Sequence, residues 1–88
     1  MNDIYIGNGV RIICTKGLHL KVLNDCFDEG YLHEVTRHYR SGLKEKTLKA
    51  GDIVKVEEHW SNFYGSYIRC LFNGEIFDVD PHNLTLII

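Results

Sequence analysis

The sequence predicts a single, mainly β domain built as a small barrel, and three observations carry that reading. Apolar and polar residues alternate with a period of two through much of residues 48–88. The tight-turn dipeptide Asn-Gly occurs twice, at Asn8-Gly9 and Asn73-Gly74. Pro81 then breaks the chain just before a last apolar run of Leu84, Leu86 and Ile88.

Each element of the second half follows from its residues. Gly51-Asp52 leads into Ile53, Val54 and Val56, where Val54 and Val56 set one buried face against Lys55, Glu57 and Glu58 in water. Residues 67–72 and 75–79 flank Asn73-Gly74, a pair that tolerates positive φ at both centres of a type I′ turn. Such a turn fixes register. Phe72 faces Glu75, Leu71 faces Ile76, Cys70 faces Phe77, Arg69 faces Asp78 and Ile68 faces Val79. This register gathers Ile68, Cys70, Phe72, Phe77 and Val79 on one face and opposes Arg69 to Asp78 on the other, a pairing expected to contribute roughly 0.2–1 kcal/mol. Asp80-Pro81-His82-Asn83 predicts one tight helical turn, because Pro81 has no amide hydrogen and a fixed φ.

The first half repeats this grammar. Ile4 and Ile6 alternate with Asp3 and Tyr5, Asn8-Gly9 turns the chain, and residues 10–15 return, which predicts a first hairpin. Leu18, Leu20 and Val22 alternate with His19 and Lys21 as a third strand, ended by Asn24-Asp25. Residues 26–42 are ambiguous: Phe27, Tyr31, Val35 and Tyr39 recur every four residues, which fits a helix face and equally one face of a strand. Gly30 near the middle costs about 1 kcal/mol in a helix.

Composition sets the class. At 88 residues, 44% hydrophobic and 25% charged, the chain is one globular domain rather than a disordered segment. The formal charge of -2 argues against a generic polyanion binder, and any basic surface must come from residues 1–47, which hold seven Lys/Arg against three in 48–88. No basic-plus-apolar leader or membrane-spanning run is read, so the expectation is a cytoplasmic protein with no membrane contact. Three cysteines without a C-x-x-C pair, Cys14, Cys26 and Cys70, are expected as free, mostly buried thiols. The five histidines show no zinc spacing, so no metal and no cofactor are expected. Cys26 lacks a sequence-level base partner, and no enzymatic activity is expected.

The landmarks Gly51-Asp52 before a strand, then Trp60, then Asn73-Gly74-Glu75, then Pro81-His82-Asn83-Leu84 resemble, in order and spacing, those of Src-homology-3-like barrels. The resemblance covers about half the chain. It implies a barrel over residues 31–88, with residues 1–30 as an N-terminal β extension comprising a hairpin and a strand. It also implies a strand over 33–39 followed by a charged loop over 40–47, with a short helical turn around 27–31 left open. Leu84 stands where that family has a groove tyrosine, and no Ala-Leu-Tyr-Asp-Tyr box lies upstream, so the likeness speaks to the fold more than to proline-rich ligands. Cys14-Thr15-Lys16 followed by the alternating Leu-x-Leu-x-Val run is also similar to small accessory proteins of bacteriophages and prophages.

Two surfaces are candidates for function. Trp60, Phe63, Tyr64 and Tyr67 crowd residues 59–67, read as a loop, where rings with polar tips offer contact area at low entropic cost. The resemblance nominates Trp60, Pro81 and Asn83 for binding a protein partner; composition adds Tyr64, Tyr67 and Tyr39. In the bland reading Trp60 and Phe63 cap one end of the barrel. The alternative is nucleic-acid binding through a basic loop of Arg37, Arg40, Lys44, Lys46 and Lys49, against which stands a merely solvated loop. The added N-terminal strands also raise homodimerisation through an exposed edge strand.

Overall fold

Asn73 (φ 52°) and Gly74 (φ 78°) both take the positive φ that a type I′ turn demands, and the hairpin they close has the expected register. Glu75–Val79 pairs antiparallel with Gly65–Phe72 through Glu75↔Phe72, Ile76↔Leu71, Phe77↔Cys70, Asp78↔Arg69 and Val79↔Ile68. The computed structural model of the chain describes residues 3–28, 31–33, 38–39, 46–62 and 65–87. These are mainly β: β1 (Asp3–Tyr5), β2 (Arg11–Ile13), β3 (His19–Val22), β4 (Cys26–Phe27), β5 (Tyr31–His33), β6 (His38–Tyr39), β7 (Thr47–Leu48), β8 (Ile53–Asn62), β9 (Gly65–Phe72), β10 (Glu75–Val79) and β11 (Leu84–Thr85). Short 3-10 turns occupy Gly7–Gly9 and Pro81–Asn83.

Five strands form one antiparallel sheet in the order β10-β9-β8-β3-β11, with β10 and β11 as its edges. Residues from one face of every strand join a single buried cluster, among them Leu20, Val22, Val54, Val56, Ile68, Cys70, Phe77, Val79 and Leu84. The sheet is open, and one of its faces covers this core. Ile6 and Cys14 add to that core from beside the first hairpin, and Leu48 adds to it from β7. β3, expected as the strand that the N-terminal extension adds, lies inside the sheet between β8 and β11. Its buried Leu20 and Val22 need neighbours on both sides, which sequence order alone does not reveal.

The first hairpin differs in its turn. The register Ile4↔Ile12 and the bond from Ile6 N–H to Val10 C=O (2.8 Å) leave three residues, Gly7 to Gly9, in the loop where Asn8-Gly9 alone suggested two. Asn8 (φ 69°) and Gly9 (φ 72°) still supply the positive φ. Gly7 joins them because of packing: a Cβ there would lie 2.6 Å from Leu23 Cδ2 and 2.7 Å from the carbonyl oxygens of His82 and Leu84. The absent side chain lets the first turn seat against the C-terminal one.

Residues 33–39 do not form the single strand expected. His33 pairs with His38 and Tyr31 with Tyr39, so β5 and β6 are two arms of an antiparallel pair. The period of four in this stretch cannot tell one strand from two folded on each other. At the described ends of 27–31, Phe27 and Tyr31 are in strands rather than a helical turn.

The edge of β10 is closed by side chains. Asp28 accepts a hydrogen bond from Asp78 N–H (2.9 Å), Lys46 Nζ donates to Ile76 C=O (2.7 Å), and the two side chains pair at 3.5 Å. Asp28 N–H in turn donates to Lys46 C=O (3.0 Å), extending the β4–β7 pairing by a rung. Lys46 Nζ also lies 4.6 Å from the centroid of Phe77, whose ring meets Phe72 edge-on. Arg69 holds Asp78 through two bonds (Nε–Oδ1 2.7 Å and Nη2–Oδ2 3.3 Å), and Asp78 is fully buried rather than on a wet face. Removing one partner from a buried pair is far more costly than the surface figure expected from sequence, about 3–5 kcal/mol.

Two substitutions follow. Gly7→Ala is expected to destabilise the protein by about 1–3 kcal/mol, read as a lower urea midpoint at unchanged slope. Asp28→Ala, which strips both Asp78 N–H and the Lys46 ammonium of this acceptor, is expected to cost about 3 kcal/mol or more in the same assay. Lys46→Met should cost a comparable amount even though its stem can still pack on Phe77, because it takes the ammonium away from the buried Asp28 carboxylate.

Candidate functional site

A cleft of about 370 Å³ opens where three elements meet: Asp3, Ile4 and Tyr5 of β1, Gly65 and Ser66 at the start of β9, and Asp80, Pro81 and His82 of the C-terminal turn. Each wall has a local cause. β1 is carried there by the first hairpin, whose turn is locked against the Pro81 turn through Gly7. The C-terminal turn is set by Pro81 at its first position and by Asp80, whose Oδ1 accepts from His82 N–H (2.9 Å) as a helix cap. The ring Nδ1 of His82 lies 3.1 Å from the same oxygen.

The cleft is lined by both polar and apolar groups. Asp3 is engaged by Arg11 from across the hairpin, and Asp80 is engaged by His82, so both carboxylates are partnered within the chain. Ile4 and the buried Pro81 supply apolar surface, and Tyr5 is 63% exposed. Such a lining of one free aromatic ring, a proline and hydrogen-bonding groups suits contact with a peptide surface.

The residues expected to bind a partner are only partly assembled here. Pro81 lines the cleft. Asn83 serves the fold through its main chain, accepting from Leu23 N–H (2.7 Å) and donating to Asp80 C=O (2.9 Å). Trp60 and Tyr67 do come together, directly opposite each other across β8 and β9. Residues 59–67, expected as a loop, are instead mostly strand, because β8 runs to Asn62 and β9 begins at Gly65. Tyr67 is half-buried, and its neighbour Ser66 reaches the cleft. Tyr39 pairs with Tyr31 in the β5–β6 ribbon. Tyr64 lies outside the described residues.

Of the basic set, Arg37, Arg40 and Lys44 lie outside the described residues. Lys46 is largely buried and committed to Asp28 and Ile76. Lys49 is exposed, 4.0 Å from Asp25. Sequence reasoning missed Tyr5, Ser66 and His82. Tyr5 carried a signal, since it is an aromatic ring on the polar side of an alternating strand.

Cys14, Cys26 and Cys70 are all buried and none is in a disulfide; the burial of Cys14 and Cys70 is the one expected. Burial pushes the Cys14 thiol above its ordinary range; burial, reinforced by the other two thiols and Asp78, pushes Cys70 much further. Among the described residues, no group of three or more His, Cys, Asp or Glu is placed to hold a metal ion, and no helix is long and apolar enough to cross a membrane. Comparison of the chain with protein-family models, curated proteins and solved structures finds no match.

One histidine beside Trp60 has a definite electrostatic consequence. The β8–β9 register slips between Val56 and Glu58, a bulge at Glu57 that shifts the following alternation by one. His59 is thereby set opposite the buried Ile68, on the core side, with both ring nitrogens buried and without a partner among the described residues. Desolvation lowers its pKa from the ordinary 6.5. A folded-state pKa below the unfolded one means that the unfolded chain binds the proton more readily. The stabilisation is complete above pH 6.5 and is lost as pH falls from there through the lowered folded value. Urea unfolding of the wild type should therefore show stability dropping between pH 7 and pH 5, and His59→Phe should reduce that drop.

Proposed function

We propose that the protein is a non-catalytic protein-binding module that seats a peptide segment of its partner in the cleft between β1, the start of β9 and the Pro81 turn. The single observation that carries this reading is the convergence there of the exposed Tyr5 ring, Pro81 and the hydrogen-bonding groups of Ser66 and the Asp80–His82 turn in about 370 Å³. The resemblance to Src-homology-3-like barrels supports it. Gly51-Asp52 precedes β8, Asn73-Gly74 closes the next hairpin, and the Pro81–Asn83 turn leads into β11, all on one sheet and in the family's order. Trp60 belongs to the same hairpin end through its pairing with Tyr67, as a neighbour of the cleft. By the likeness to phage and prophage accessory proteins, the partner is a host enzyme that the protein inhibits or redirects.

Peptides selected on the immobilised protein from a random library and titrated into 15N-labelled protein should shift the amide resonances of Tyr5, Ser66 and His82. Tyr5→Ala should weaken their binding at least about tenfold, the loss typical of a central aromatic contact. Shifts confined to Lys49 and its neighbours, reproduced by single-stranded oligonucleotides and abolished by salt, would instead place function on the basic loop.

A further inference from the structure

The edges of this β structure are treated unequally. β10 is closed by Asp28 and Lys46, as described above. At β11, the first turn packs against the strand, with Gly7 at the Leu84 carbonyl and Asn8 Nδ2 reaching Thr85 Oγ1 (3.5 Å). β2 has no comparable cover among the described residues: Thr15 Oγ1, 3.3 Å from the Ile13 carbonyl, is the side-chain bond found there.

The backbone direction of β2 follows from the hairpin register. Ile6 N–H donates to Val10 C=O, and hydrogen-bonded pairs alternate with non-bonded ones along an antiparallel ladder. The bonded pair is therefore Ile4 with Ile12. The pairs Tyr5–Arg11 and Asp3–Ile13 turn their N–H and C=O groups outward, so Arg11 and Ile13 offer two donors and two acceptors along the free side of β2.

We propose that β2 is a dimerisation edge, at which a second copy of this chain pairs its own β2 antiparallel about a two-fold axis at Ile12. The pattern is self-complementary. With Ile12 opposite its symmetry mate, Arg11 of each copy faces Ile13 of the other, and the outward groups of these residues form four main-chain hydrogen bonds. Side chains agree with the backbone. On one face Ile4 and Ile12, both half-buried, continue into the Ile12 and Ile4 of the second copy as an unbroken apolar row. On the other face the 52% exposed Ile13 meets the stem of Arg11. Arg11 would ordinarily guard such an edge by charge, but Asp3 neutralises it within each copy. The two-stranded hairpin becomes the half of a four-stranded sheet, which a three-residue strand needs for stability.

The test is molar mass by light scattering or sedimentation across a concentration series. A reversible rise from 10.2 kDa toward twice that value is expected, with the Arg11 and Ile13 amides gaining protection from hydrogen exchange as concentration increases. Arg11→Pro removes an outward N–H without touching the Ile4–Ile12 bonds, and Val10, at ψ 132°, already has the extended backbone that a following proline requires. That variant should remain at the monomer mass at every concentration. Ile13→Lys, which keeps the backbone intact, should do the same and covers the case in which the proline variant fails to fold. A monomer throughout the series for the wild type, or a dimer that Ile13→Lys leaves intact with Arg11 and Ile13 amides unprotected, would overturn the proposal.

Discussion

Asp78 is gripped from two directions, and the architecture depends on that grip. Its carboxylate is held by Arg69 from the neighbouring strand, while its amide is held by Asp28 from a ribbon that is distant in sequence. Asp28 is matched by Lys46, which also satisfies a carbonyl on the same edge. Burying these charges is costly in itself, so each partner is secure only while the others are present. The network ties β9, β10, β4 and β7 into one unit and gives partners to Asp78 N–H and Ile76 C=O on the β10 edge of the main sheet.

At the other end of the sheet the constraint is steric. Gly7 lets the first turn lie against the backbone of the Pro81 turn and of β11. That contact carries β1 to one wall of the cleft, while the capped turn provides another and the β8–β9 hairpin a third. The cleft is thus a by-product of three short-range choices: a glycine without a side chain, a proline at a first helical position and a hairpin long enough to reach them.

Much of the fold was legible because its local signals are strong. Asn73-Gly74 determines a two-residue turn, and the alternation around it permits one register that buries Ile68, Cys70, Phe77 and Val79 together. What stayed hidden depended on distant neighbours. The three-residue first turn follows from Gly7 meeting His82 and Leu84, and no window around Asn8-Gly9 contains that contact. The bulge at Glu57 shows only in the pairing of β8 with β9. The burial of Arg69 and Asp78 follows from what packs over them, since an opposed charge pair reads the same wet or dry. The site was less legible than the fold for the same reason. Pro81 was nominated by the barrel resemblance, but Tyr5, Ser66 and His82 meet only in three dimensions.

The bond from Asp28 N–H to Lys46 C=O has a consequence for how this chain tolerates change. It closes a neck between Asp28 and Lys46 with a main-chain rung and an ion pair, and both residues are in turn anchored on β10. Lengthening a closed segment adds entropy cost only logarithmically, about 0.6 kcal/mol per doubling. The neck therefore works as a socket: a longer connection between Asp28 and Lys46 adds little to the entropic cost of closing it.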